Sequence, residues 1–212
     1  MKPIYLAALM AFGSVSCVDN TPKLQVIHAA LPEPDCSIPE DEAILRGSLN
    51  LGLAGDFLLG LVITSNLVDS PIIVGEGGEV SDPDSLAIYV TSVDVSYRTE
   101  PDLGIEDANI PLFGGFRPNQ DSSLLLGVLT RDAQAALFAA TAGGGFVDTL
   151  VTMRFRGKTA TGSKVEANEF TFPLTVTNVG FVCPKPGDVP AQPTEACDLR
   201  GLNGVVPECE TP

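Results

Sequence analysis

The chain has 212 residues, 44% of them hydrophobic, and 27 acidic side chains against 12 basic ones give a net charge of −15. That length supports one substantial core, and the apolar share excludes a chain disordered by composition. The negative field repels phosphate backbones and anionic head groups, which argues against nucleic-acid binding and against membrane adhesion through a basic patch.

Met1-Lys2 is a positive start, Ile4 to Phe12 is a short apolar run, and Gly13-Ser14-Val15-Ser16 are small residues directly before Cys17. A bilayer-crossing helix needs about twenty apolar residues, so this run fits a cleavable signal and not a permanent span. The segment resembles bacterial lipoprotein signals, in which small or aliphatic residues precede a cysteine that takes acyl chains. Val15 and Ser16 match that pattern. Ser14 departs from the aliphatic residue usual there, so plain cleavage after Ser16 stays as the alternative. The expected layout is a signal at 1–16, a tether and irregular lead-in at 17–42, a β-sandwich at 43–183 and a Pro-rich tail at 184–212.

Within the lead-in, only Leu24 to Ala30 escapes proline and reads as an edge strand. Ile44 to Leu53 alternates, with Leu45, Gly47, Leu49, Leu51 and Leu53 on one face and Arg46, Ser48 and Asn50 on the other, wet one. Ala54-Gly55-Asp56 reads as a turn into Phe57 to Thr64, which is apolar enough to be covered on both faces. The pair predicts a hairpin. Residues 65–85 are loop-rich, with a short strand at Ile72 to Val74. Leu86 to Tyr97 is a strand whose apolar phase slips by one near Thr91-Ser92, which predicts a β-bulge. Residues 98–121 carry Pro101, Pro111 and Pro118 and read as a long acidic loop.

Ser122 to Leu129 is another strand. Thr130 to Thr141 is the one helix, with Thr130 as N-cap, Asp132 in the first turn and Gly143-Gly144-Gly145 as stop. Phe146 to Arg156 alternates, residues 157–163 read as a hairpin loop, and Lys164 to Val182 returns. The return strand shifts phase near Asn168-Glu169, a second predicted bulge. Pro173 costs a ladder bond and suits an edge or a bulge.

Cys36, Cys183, Cys197 and Cys209 remain after Cys17, an even number that implies two disulfides in an exported chain. Zinc is disfavoured because no close cysteine pair exists and His28 is the sole histidine. Four cysteines allow three pairings and sequence alone does not choose. Cys36–Cys183 with Cys197–Cys209 is the favoured one, because Cys183 follows the last strand and the tail then closes on itself.

Little chemistry is visible. A serine triad needs a histidine base, and His28 sits in the Pro-rich lead-in without a G-x-S-x-G elbow anywhere. Gly162-Ser163-Lys164 has the wrong order for a phosphate loop and lies between two strands. Glycosidase carboxylates would want exposed aromatic platforms, and the chain has no tryptophan. Glu76, Glu79, Asp82 and Asp84 form one acidic loop cluster, and Asp102, Glu106 and Asp107 a second. They are candidate calcium oxygens without the D-x-D-x-D-G spacing.

The alternating strands at 44–64, Val93-Asp94-Val95 in a long strand, and Phe170-Thr171-Phe172-Pro173-Leu174 ending a hairpin resemble acidic, lipid-anchored β-sandwich proteins of Gram-negative bacteria. The same strings are similar to the late-embryogenesis-abundant, water-stress-hypersensitivity β-sandwich. The resemblance spans 44–183 and carries no catalytic residue. It implies an antiparallel, immunoglobulin-like sandwich with one short helix and a disulfide-stapled tail. The expected function is that of a non-enzymatic envelope protein, outer-membrane lipoprotein in type, periplasmic or surface-facing. Its membrane contact would be the lipid on Cys17, with no other cofactor and a protein partner at the loops 65–85 and 98–121. A calcium- or ligand-binding adhesion domain using the same loops is the alternative.

Overall fold

The computed structural model describes residues 21–68, 72–74, 78–80 and 86–212. Cys17, the signal segment and the calcium candidates Glu76, Asp82 and Asp84 lie outside the described residues. Glu79 falls on a described strand backbone.

In chain order the strands are β1 (Leu24–Ala30), β2 (Gly47–Asn50), β3 (Leu58–Ser65), β4 (Ile72–Val74), β5 (Gly78–Val80), β6 (Ile88–Glu100) and β7 (Ala108–Phe116). After β8 (Asp121–Gly127) comes helix α1 (Arg131–Thr141), followed by β9 (Phe146–Thr159), β10 (Lys164–Glu166) and β11 (Phe170–Thr177). Two short strands, β12 (Val189–Pro190) and β13 (Cys209–Glu210), form a ribbon in the tail. The fold is a mainly β sandwich of a three-stranded sheet, β1-β3-β8, and a larger sheet ordered β2-β11-β9-β6-β7, with β10 also on β9. Among the described strands all ladders are antiparallel except β2 on β11, and an isolated parallel bridge joins Leu24 to Ala167.

Alternation decides which side chains meet between the sheets. Ile88, Val90, Val93 and Val95 of β6 and Val151, Met153 and Phe155 of β9 are buried against Leu59, Leu61 and Ile63 of β3. The change of phase along β6 is real: the register against β9 shifts between Val90 and Ser92, so one extra residue lets both apolar sets point inward. Gly157 stands opposite Val90, and a Cβ there would lie 2.3 Å from the Tyr89 carbonyl oxygen. The bulge and that glycine therefore require each other.

The second bulge is also present. Glu166 pairs Arg156 and Phe170 pairs Met153, so the returning chain has one residue more than β9 between those points. Asn168 lies in this excess and reaches the small sheet. Its side chain accepts from the Val26 amide at 2.8 Å and donates to the Val26 carbonyl at 3.3 Å. This side chain joins the two sheets at the β1 edge.

Five expectations need correction. The first is the 44–53/57–64 hairpin. β2 pairs β11 and β3 pairs β1 and β8, so the two strands belong to different sheets. Gly47 lets this happen, since a Cβ there would lie 2.4 Å from the Phe57 ring that crosses it. Leu45, which precedes β2, is 86% exposed. The second is the 98–121 loop: β6 runs on to Glu100 and Ala108–Phe116 form β7, with Ile110 and Leu112 packed on the core. The third is the domain limit at 43, because β1 is a full member of the small sheet. The 157–163 loop is shorter too, since β9 runs on to Thr159.

The fifth concerns the disulfides. All four cysteines are bonded, but as Cys36–Cys197 and Cys183–Cys209. The tail is not stapled by a pair of its own cysteines; it docks on β2. Leu202 is buried and bridges Leu49, and the Asn203 amide donates to the Ser48 carbonyl at 2.8 Å while its side chain accepts from the Ser48 amide. That route carries Cys197 to the lead-in and leaves Cys209 near Cys183.

Candidate functional site

Helix α1 seals one end of the sandwich through buried Ala133, Leu137 and Thr141. Thr130 caps it, its hydroxyl accepting from the Ala133 amide at 3.2 Å. The joint between β8 and this helix holds the most perturbed acid of the described residues. Asp56 accepts from the amides of Phe57 at 2.7 Å and Leu129 at 2.9 Å. Burial pushes its carboxyl from 3.8 up to about 6, although those donated bonds pull the other way. Gly127 leaves room for it, since a Cβ there would sit 2.1 Å from Oδ2. Beside it the Tyr97 hydroxyl donates to the Val128 carbonyl and accepts from the Thr130 amide, both at 2.9 Å. Burial raises the Tyr97 phenol as well. Asp56 Oδ1 and the Tyr97 hydroxyl are both spent on backbone, so these groups fix the strand–helix joint.

The outer face of the larger sheet is different. Its rows can be read across the strands. Asp94 stands opposite Arg154, Ser96 opposite Thr152, Arg98 opposite Leu150, and Glu100 opposite Asp148. On the other side of β9, Thr171 joins Thr152, Pro173 joins Leu150 and Thr175 joins Asp148. Most charges here are matched: Arg154 pairs Glu169, while Arg156 pairs Asp94 and lies 3.8 Å from Glu166. The Thr152 and Thr171 hydroxyls bond at 2.8 Å, and Thr175 donates to Asp148 at 2.6 Å.

One row is unmatched. Arg98, Leu150 and Pro173 are in register, and Arg46 directly precedes Gly47, the partner of Leu174 on the next strand. These four residues line a groove of about 430 Å³, with Glu100, Asp148 and Thr175 along one side. Neither Arg46 nor Arg98 makes a hydrogen bond or ion pair among the described residues, and Leu150 is 39% exposed between them. Thr149, on the core side of the same stretch, keeps a buried hydroxyl without a partner. The arrangement suits binding: two planar cations flank an apolar floor, and the groove's lining contains no histidine or cysteine.

The sequence candidates are scattered. His28 lies on edge strand β1, its Nε2 buried and unpartnered, far in sequence pairing from the groove strands. In the second acidic cluster, Asp102 accepts from the Gly104 amide at 3.0 Å and Asp107 is exposed. No group of three or more metal-ligating side chains occurs among the described residues. No helix among them is long and apolar enough to cross a membrane. Sequence reasoning places Arg46 on a wet strand face but does not join it to Arg98, because only sheet register brings the two together.

No family model matches the chain, and no curated protein matches it. Among solved structures, the solution structure of AT1g01470 from Arabidopsis thaliana is similar at 13% identity and a TM-score of 0.32, covering 78% of this chain and 86% of that one.

Proposed function

We propose that this is an exported envelope protein, tethered by acyl chains on Cys17, whose sandwich binds a partner or ligand without catalysing a reaction. The observation that carries the reading is the pair of disulfides. Cys36–Cys197 spans 161 positions and Cys183–Cys209 spans 26, and together they fasten the tail to both the lead-in and the end of the sandwich. Bonds of this structural kind form and persist in oxidising compartments. The short apolar start and Cys17 supply the route and the anchor. The unmatched row on the outer sheet face supports a binding role.

Phase separation in a clouding detergent tests the anchor. Protein from cells of the native host partitions into the detergent phase, and the Cys17→Ala variant moves to the aqueous phase. Equal partitioning of the two would end the lipoprotein reading.

A further inference from the structure

We infer that the groove between Arg46 and Arg98 is a binding site for a small dicarboxylate with an apolar middle. The inference deepens the binding role proposed above and rests on it. Strands in a sheet lie about 4.8 Å apart, so the backbones of Arg46 and Arg98 stand about 14 Å from each other across β11 and β9. Both side chains line the space between, above Leu150 and Pro173. A guanidinium matches a carboxylate with two parallel N–H donors, and two of them at opposite ends of an apolar floor match a molecule charged at both ends.

The neighbours narrow the class. Glu100 and Asp148 occupy the next row, about 7 Å further along the strands. They repel an anion that slides toward them and hold the ligand to the arginine row. The same two carboxylates, with the net charge of −15, oppose a compact, highly charged anion such as phosphate. Singly charged carboxylates separated by methylenes suffer this least and gain from covering Leu150. A groove of about 430 Å³ is of small-molecule size. The other arginines on the sheet are ill suited: Arg154 and Arg156 are already paired with carboxylates.

Arginine footprinting tests this on the full oxidised chain. Phenylglyoxal modification is followed residue by residue by mass spectrometry, with octanedioate as probe and acetate at equal carboxylate concentration as control. Octanedioate slows modification of Arg46 and Arg98 about tenfold and leaves exposed Arg131 unchanged. Acetate protects neither. In Arg46→Ala, protection of Arg98 is lost, because one end of the ligand is free. Absence of protection at millimolar octanedioate, or equal protection of Arg131, would overturn the site. Detergent partitioning is unaffected by either result, so the groove and the anchor fail separately.

Discussion

Asp56 gives the structure a pH dependence that a single substitution removes. In the folded chain burial holds its carboxyl near 6, against 3.8 for the ordinary group. Between about pH 4 and 6 the native state therefore keeps a proton that the unfolded chain has lost. Stability from this residue is greatest below pH 4, falls as pH rises through the window, and is level above it. Raising the carboxyl from 3.8 to about 6 corresponds to about 3 kcal/mol between the two limits. Asp56→Asn is neutral throughout, and its amide oxygen still accepts from the Phe57 and Leu129 amides. Urea unfolding by far-ultraviolet circular dichroism, from pH 4 to 7.5, measures the difference. The wild type gains about 2–2.5 kcal/mol over the variant on going from pH 7 to pH 4, where the unfolded carboxyl is still more than half ionised, a relative midpoint shift of about 1–2.5 M. Parallel pH profiles for the two proteins would refute the burial argument.

Three further outcomes follow from packing and cross-linking. Gly157→Ala places a Cβ 2.3 Å from the Tyr89 carbonyl oxygen and loses about 2 kcal/mol or more by urea unfolding, whereas exposed Gly143→Ala, with nothing within 4 Å, stays within about 0.5 kcal/mol. Asn168→Ala removes both bonds to Val26 and costs about 1–2 kcal/mol, with faster hydrogen exchange at the Val26 amide. Loop-closure entropy makes loss of the 161-position disulfide cost about 5 kcal/mol and loss of the 26-position one about 3.5 kcal/mol. Cys36→Ser/Cys197→Ser therefore melts below Cys183→Ser/Cys209→Ser, and the reverse order would contradict the loop-closure argument.

What could be read in the sequence was periodicity and its breaks. The phase slip at Thr91-Ser92 predicts the β6 bulge because a pleat admits only one way to keep Val90 and Val93 both inside. The cap at Thr130 is equally local. β7 is hidden because Pro111 and Gly114-Gly115 carry turn chemistry, although Ile110 and Leu112 already alternate. An edge strand tolerates what a central strand does not. The false hairpin at 44–64 has a related cause. Ala54-Gly55-Asp56 looks like a tight turn, but Gly47 yields its side-chain space to Phe57 and the chain crosses to the other sheet. Disulfide pairing depends on where the tail docks, and Leu202 beside Leu49 is a contact no local pattern announces. The groove is illegible for the same reason: Arg46 and Arg98 become neighbours only through three strand registers.

The whole account turns on a folded, cross-linked body held outside the cytosol by one modified sulfur. Intact mass of the protein taken from its own membranes, before and after reduction, addresses it in one measurement. The expected species begins at Cys17, carries the added mass of acyl chains, and gains four hydrogens on reduction of its two disulfides. A species that begins at Met1, has no added mass and is unchanged by reductant would contradict it.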